Sequence, residues 1–146
     1  MEQYFLKEAL SEAKKGYKEG GIPIGSVLVY EGKIIGRGHN RRVQNNSVTL
    51  HAEMDALENA GRLPASVYKN CEIYTTLSPC SMCSGAILLY GIKKVIIGEN
   101  KTFLGEEKLL VSRGVRVEVL NNEACYELMQ RFIKENPTLW NEDIGV

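Results

Sequence analysis

The chain is short of several things at once. It has two histidines, His39 and His51, one tryptophan, Trp140, and no excess of either charge, with 18 basic and 18 acidic side chains. A protein held to nucleic acid by phosphate contacts needs a basic face, so charge balance argues against nucleic acid as a partner. Near-zero net charge fits a protein that associates with itself. No apolar run approaches the 18 or so residues that span a bilayer, and Ala86–Tyr90 is the best the chain offers, so no membrane is expected as partner. The opening MEQYFLKEAL carries two glutamates and no continuous apolar segment, and so does not read as a signal peptide. A cytoplasmic location is expected. Four cysteines there read as thiols or metal ligands, not as a disulfide framework. No linker, repeat or low-complexity segment breaks the chain, so residues 1–146 are expected to form one domain.

What is present alternates between two periods. Leu6, Ala9, Leu10, Ala13 and Tyr17 recur at helical spacing over about residues 2–19, and Gly20-Gly21 stops the pattern. Two apolar runs, 24–30 and 34–38, flank Glu31-Gly32-Lys33 as a hairpin. Gly36 and Gly38 would weaken a strand interior, which predicts a bulge or a close backbone approach. A polar loop over 40–49 precedes a helix over about 51–60. Strand-like Ile73–Thr76 runs into Ser78-Pro79-Cys80, and a very apolar helix spans Cys83 to Tyr90. Val95-Ile96-Ile97 reads as a strand buried on both faces. A short helical stretch near 106–112, an alternating strand at 115–119 and a helix after Asn121-Asn122 complete the pattern. That last helix turns Tyr126, Leu128, Met129, Phe132 and Ile133 inward and stops before Pro137. Residues 138–146 show no period. A hairpin followed by alternating strands and helices predicts an α/β protein, a three-layer α/β/α sandwich on a mixed sheet.

The chemistry concentrates in His51-Ala52-Glu53 and Pro79-Cys80-Ser81-Met82-Cys83. One imidazole and two thiolates form an N/S set that selects zinc. Three protein ligands leave a fourth position for water, the arrangement of catalytic zinc, and zinc brings the pKa of that water toward ~7. Glu53 is placed to move protons beside it. A Cys-x-x-Cys pair alone is more often structural zinc or a redox couple. A structural site would recruit a fourth ligand from Cys71, Cys125 or His39. The cysteines read more readily as small buried hydrophobes, and His39 as a hydrogen-bonded strand-end residue. A redox pair does not require His-x-Glu upstream.

The combined His-x-Glu and Pro-Cys-x-x-Cys pattern is that of the zinc nucleobase deaminases. The chain resembles the cytidine deaminase-like superfamily, and within it the fungal-type cytosine deaminases. The resemblance extends through Pro23-Ile24-Gly25, Gly36-Arg37-Gly38-His39-Asn40, Tyr74–Cys80, Gly98-Glu99-Asn100, Trp140 and Glu142–Gly145. It implies a homodimer with a five-stranded sheet, one zinc per subunit, and hydrolysis of cytosine to uracil and ammonia by zinc-bound hydroxide attacking C4. It implies His51, Cys80 and Cys83 as zinc ligands and Glu53 as proton shuttle. Asn40 and the Ala52 N–H would read the pyrimidine edge, and Asp143 the exocyclic amine. Ile24, Leu77, Phe103 and Trp140 would wall the ring. One departure stands out, Ala52, where the fungal enzymes have glycine. Without the resemblance, Asn40 reads as a turn residue, and Trp140 and Asp143 read equally as a solvated tail. The same zinc motif serves guanine, isocytosine, nucleoside and tRNA adenosine deaminases, and a zinc-stabilised interaction domain is the non-enzymatic alternative.

Overall fold

The computed structural model describes residues 1–146. Helix α1 (Glu2–Lys18) leads to strands β1 (Gly25–Tyr30) and β2 (Lys33–His39), then to α2 (Ala52–Ala60) and a single turn, α3 (Ala65–Tyr68). Strand β3 (Cys71–Leu77), α4 (Ser81–Tyr90), β4 (Lys94–Glu99), α5 (Glu107–Ser112) and β5 (Arg116–Val119) alternate. Helices α6 (Glu123–Glu135) and α7 (Pro137–Asp143) close the chain. The sheet order is β2-β1-β3-β4-β5. β1 pairs antiparallel with β2 and β3, whereas β3–β4 and β4–β5 are parallel, so the sheet is five-stranded and mixed.

Alternation along the strands builds two cores. Val27, Val29, Tyr74 and Ile96 face α1 and bury Phe5, Leu6 and Ala9. Leu28, Ile73, Val95 and Ile97 face the other way, onto Tyr68, Ile87 and Leu110 from α3, α4 and α5. With Cys125 and Leu128 of α6 packed beside Leu10 and Ala13 of α1, the layers are helix, sheet, helix.

The glycine-rich hairpin does two things. Its register slips between Leu28 and Val29, which pair with Gly36 and Ile34, so Ile35 is the extra residue of a bulge. Gly36 and Gly38 also let α2 lie directly on β2. A Cβ at Gly38 would fall 2.5 Å from Asp55 Oδ2 and 2.6 Å from the Ala56 nitrogen. Beyond the hairpin, His39 is a buried anchor. Its Nδ1 meets Glu12 at 3.0 Å and its Nε2 meets Glu19 at 2.8 Å, while its N–H donates to Asp55. Burial opposes the charge on Glu12. Hydrogen bonds from His39, Lys15 and Arg37 overcome it and hold that carboxyl below its ordinary range.

The structure corrects the sequence reading at three places. Helix α6 does stop before Pro137, at Glu135, but the aperiodic tail contains α7, which Pro137 opens because proline suits the first turn where its missing N–H is not needed. Helix α4 begins at Ser81, with Cys80 as its N-cap, two residues earlier than Cys83. Tyr126 is only half-buried, with Lys101 lying over its ring.

Gly38→Ala should therefore cost about 1–3 kcal/mol, since the obstructing atoms include backbone of a packed helix. A denaturant midpoint equal to that of the unaltered protein would contradict this account of how α2 is seated.

Candidate metal centre and active site

Both halves of the motif are helix starts. His51 is the N-cap of α2 and Cys80 the N-cap of α4, each in extended conformation. The two helices begin beside each other at the carboxyl end of the sheet, where β3 ends at Leu77 and β4 at Glu99. Open α/β sheets bind ligands at that edge. Cys83, one turn into α4, is fully buried and points back to the same place.

The donors fit zinc. His51 Nδ1 lies 3.5 Å from Cys80 Sγ and 3.8 Å from Cys83 Sγ. Bond lengths of about 2.3 and 2.0–2.1 Å at a tetrahedral angle place sulfur and nitrogen about 3.6 Å apart. No fourth side chain joins the set. His39 has committed both ring nitrogens to carboxylates. Cys71 and Cys125 lie buried in separate cores, and burial pushes their thiols up to about 11 and about 12, so both remain thiols at neutral pH. The geometry is that of a three-ligand site with an open position, not of a closed structural one.

The protein's own groups prepare the ligands. A hydrogen bond from Cys83 lowers Cys80 to about 4 against the cost of burial, with His51 adding to the effect. Cys83 is raised, chiefly by donating that bond and then by burial. Burial works against charge on His51, but the bond to Cys80 and the nearby Asp143 and Glu53 carboxylates outweigh it and raise the imidazole to about 9. Glu53, only 4% exposed in the first turn of α2, is pushed up to about 7 by burial, which the positive His51 partly offsets. A carboxyl that titrates near neutrality can both take and return a proton.

The expected site residues converge, with one displaced. Ile24, Ala52, Leu77, Phe103, Trp140 and Asp143 all line the cavity over the ligands, which opens to solvent. Phe103 and Trp140 meet edge-on, centroids 6.4 Å apart at 84°. The solvated-tail alternative fails, because Trp140 is 7% and Asp143 8% exposed. Asp143 Oδ1 lies 3.4 Å from His51 Nε2, the outer position from which carboxylates orient metal-binding imidazoles. Asn40 is fully buried behind this wall. Its amide donates to Asp143 at 2.8 Å, and its carbonyl accepts from the Arg42 N–H at 3.0 Å. Asn40 thus turns the loop and braces Asp143, and it does not itself line the cavity.

Three contributors were not singled out from sequence. Ser78 and Ile144 line the cavity, and Arg42 Nη1 stands 3.8 Å from Asp143. Ser78 and Ile144 each adjoin a residue already chosen, which was the available signal. Arg42 sits in a loop whose composition is merely polar.

A three-ligand N/S metal site with a buried carboxyl beside it is the arrangement of a zinc hydrolase. Known proteins narrow the class. Residues 1–99 match the cytidine and deoxycytidylate deaminase zinc-binding region. The chain is 62% identical to the cytosine deaminase of Candida albicans over 96% of this chain and 94% of that one. It is 37% identical to a tRNA-specific adenosine deaminase of Aquifex aeolicus over 91% and 94%. A solved tRNA A34 deaminase superposes with a TM-score of 0.72 at 30% identity, covering 86% of this chain and all but 1% of the other, which matches over 99%. The chain belongs to the cytidine and deoxycytidylate deaminase family, and it is a zinc-binding deaminase.

Zinc must displace protons from His51 and Cys83, both held above their ordinary values. Zinc affinity should thus fall as pH is lowered from 9 to 6, and loading of chelator-stripped protein should release protons to an indicator dye. Affinity that is flat across this range would refute the assigned ligands.

Proposed function

We propose that the protein is a cytosine deaminase, hydrolysing the free base to uracil and ammonia, and that residues 1–146 form a single domain for that purpose. The likeness to the Candida albicans enzyme over nearly the whole of both chains carries this reading. A buried Trp140 and Asp143 close over the ligands and favour one small ring over a nucleoside or a polynucleotide. The tRNA-specific adenosine deaminase of Aquifex aeolicus is less similar, and a polyanion would gain little from a chain of zero net charge.

His51, Cys80 and Cys83 would hold the zinc, which would supply the Lewis acidity for a nucleophilic water at neutral pH. The chain's own groups do the rest. Ile24, Leu77, Phe103 and Trp140 hold the flat ring and exclude bulk water. The Ala52 N–H, one of the unpaired donors at the start of α2, reaches the ring carbonyl O2. Asn40, its amide on Asp143 and its carbonyl on the Arg42 N–H, steadies Asp143, and it meets the N1–H and O2 edge of the ring only by releasing those bonds. Asp143 accepts from the exocyclic amine. Glu53 takes a proton from the attacking water and delivers it to N3 as the oxygen joins C4. Glu53 then takes the proton of the new C4 hydroxyl and passes it to the amino group as the C4–N bond breaks, so that ammonia leaves and C4 becomes a carbonyl. A role in pyrimidine salvage and a cytoplasmic location accord with this chemistry. No helix is long and apolar enough to cross a membrane.

The same reading includes a homodimer. Helix α4 is apolar nearly all round, yet Gly85, Leu89 and Tyr90 lie exposed, Leu89 at 74%. A helix of that composition ordinarily has both faces covered. Sedimentation at the mass of one chain at micromolar concentration would remove this part of the proposal.

Ammonia release from zinc-loaded protein should be seen with cytosine and should be absent or far slower with cytidine, deoxycytidine, adenine and guanine. Turnover of cytidine without cytosine would defeat the free-base reading. In the same assay Glu53→Gln should keep zinc and fold yet lose ~10²–10⁴ in rate or more.

A further inference from the structure

Strand β4 ends in a carboxylate that the chemistry above does not use. Glu99 is 1% exposed. Its Oε2 accepts from two successive backbone N–H groups, Lys101 at 2.9 Å and Thr102 at 3.1 Å, and its Oε1 has no partner. An unpartnered buried oxygen is costly, and no cation stands against it among its bonds. What the carboxylate does achieve is to fold the chain back at residues 101–102. The next residue is Phe103, which the fold-back carries onto Trp140.

The far side of the loop is held separately. Ser78 Oγ donates to Glu107 at 2.6 Å and accepts from the Gly105 N–H at 3.0 Å, and Asn100 donates to the same Glu107 carboxylate. Gly105 lies so close to Pro79 that a Cβ there would fall 1.8 Å from the Pro79 oxygen. Residues 104–107 are thus fastened to the metal-bearing turn. Thr102 is steadied from outside by Gln130, but at an exposed bond. The backbone just before Phe103 has Glu99 as its one buried tether.

We infer that Glu99 is a positioning residue that acts through Phe103, setting the aromatic wall of the site and with it the size of ring accepted. Glu99 touches neither the metal ligands nor the cavity. It determines where the phenyl ring stands relative to Trp140. This inference rests on the deaminase reading for its substrate, but the placement of Phe103 can be observed independently, because Trp140 is the only tryptophan.

The test uses Glu99→Ala, Glu99→Asp and Glu99→Gln in zinc-loaded protein. Aspartate keeps the charge but is one methylene too short to reach both N–H groups. Glutamine keeps an acceptor oxygen for both and changes only the atom that has no partner. Losing an edge-to-face contact that ground state and transition state share should raise KM for cytosine about two- to tenfold with little change in kcat. Isocytosine and guanine should lose correspondingly less relative to cytosine. Trp140 emission should shift to the red in the alanine and aspartate variants and stay put in the glutamine variant. In a Phe103→Leu background, Glu99→Asp should add little to KM. Wild-type KM, selectivity and emission in Glu99→Asp would overturn the inference, even with a lowered melting temperature, and that variant decides the matter if Glu99→Ala does not fold. Absence of cytosine turnover in the unaltered protein would instead defeat the proposed substrate, and the emission of Trp140 would still report whether Glu99 places the wall.

Discussion

Two helices that start at one point are the constraint on which this structure depends. His51 caps α2 and Cys80 caps α4, and their side chains stand 3.5 Å apart although 29 residues separate them in the chain. For them to meet, α2 and α4 must lie side by side on one face of the sheet, with β1 and β3 adjacent beneath. The antiparallel β1–β3 pairing and the parallel β3–β4 step provide that. The positive ends of both helices then face the same small volume, which favours thiolate in it. Gly36 and Gly38 serve this arrangement from a distance, because without their close approach α2 could not bring His51 and Glu53 to the sheet edge.

The roof depends on a different part of the chain. Asp143 and Trp140 come from α7, and Asp143 stands 103 positions beyond Asn40, yet Asn40 donates directly to it. The group that orients the imidazole and the group that turns the loop after β2 are therefore one connected set: His51, Asp143, Asn40 and the Arg42 backbone. Phe103 completes the roof from a third segment, held by Glu99 on one side and by the Ser78–Glu107 bond on the other. Metal donors, the Asp143–Asn40 pair and the aromatic roof are distinct in sequence but mechanically continuous.

Some of this was legible in the residues. The helical period in α1, the hairpin around Gly32 and the continuous apolar run at Val95–Ile97 were readable because each reflects a local periodicity or turn preference. The zinc set was readable because so few residue types can supply it, and with two histidines the choice was nearly forced. Resemblance to relatives, not periodicity, pointed to Asp143, Trp140 and Phe103. Helix α7 was missed because seven residues are too few to display a period, and Pro137 looks the same as a stop and as a first-turn residue. Arg42 was missed because its partner is a carboxylate brought near only by folding, and Glu99 because a side chain accepting from backbone N–H groups two and three residues on leaves no mark in the sequence.

By itself, then, the sequence determined the layered α/β architecture, the identity of the metal donors and the hydrolytic chemistry. These follow from local pattern and from the limited set of side chains that bind zinc or move protons. Tertiary structure decided whether the site is open or closed. It committed both nitrogens of His39 to Glu12 and Glu19, placed Cys71 and Cys125 in separate cores, and left three ligands where four were conceivable. It also decided the shape of the substrate space, by folding a tail without periodicity into a buried helix over the metal ligands. Long-range packing and the burial of polar groups against one another carry that information, and neither is visible until the segments meet.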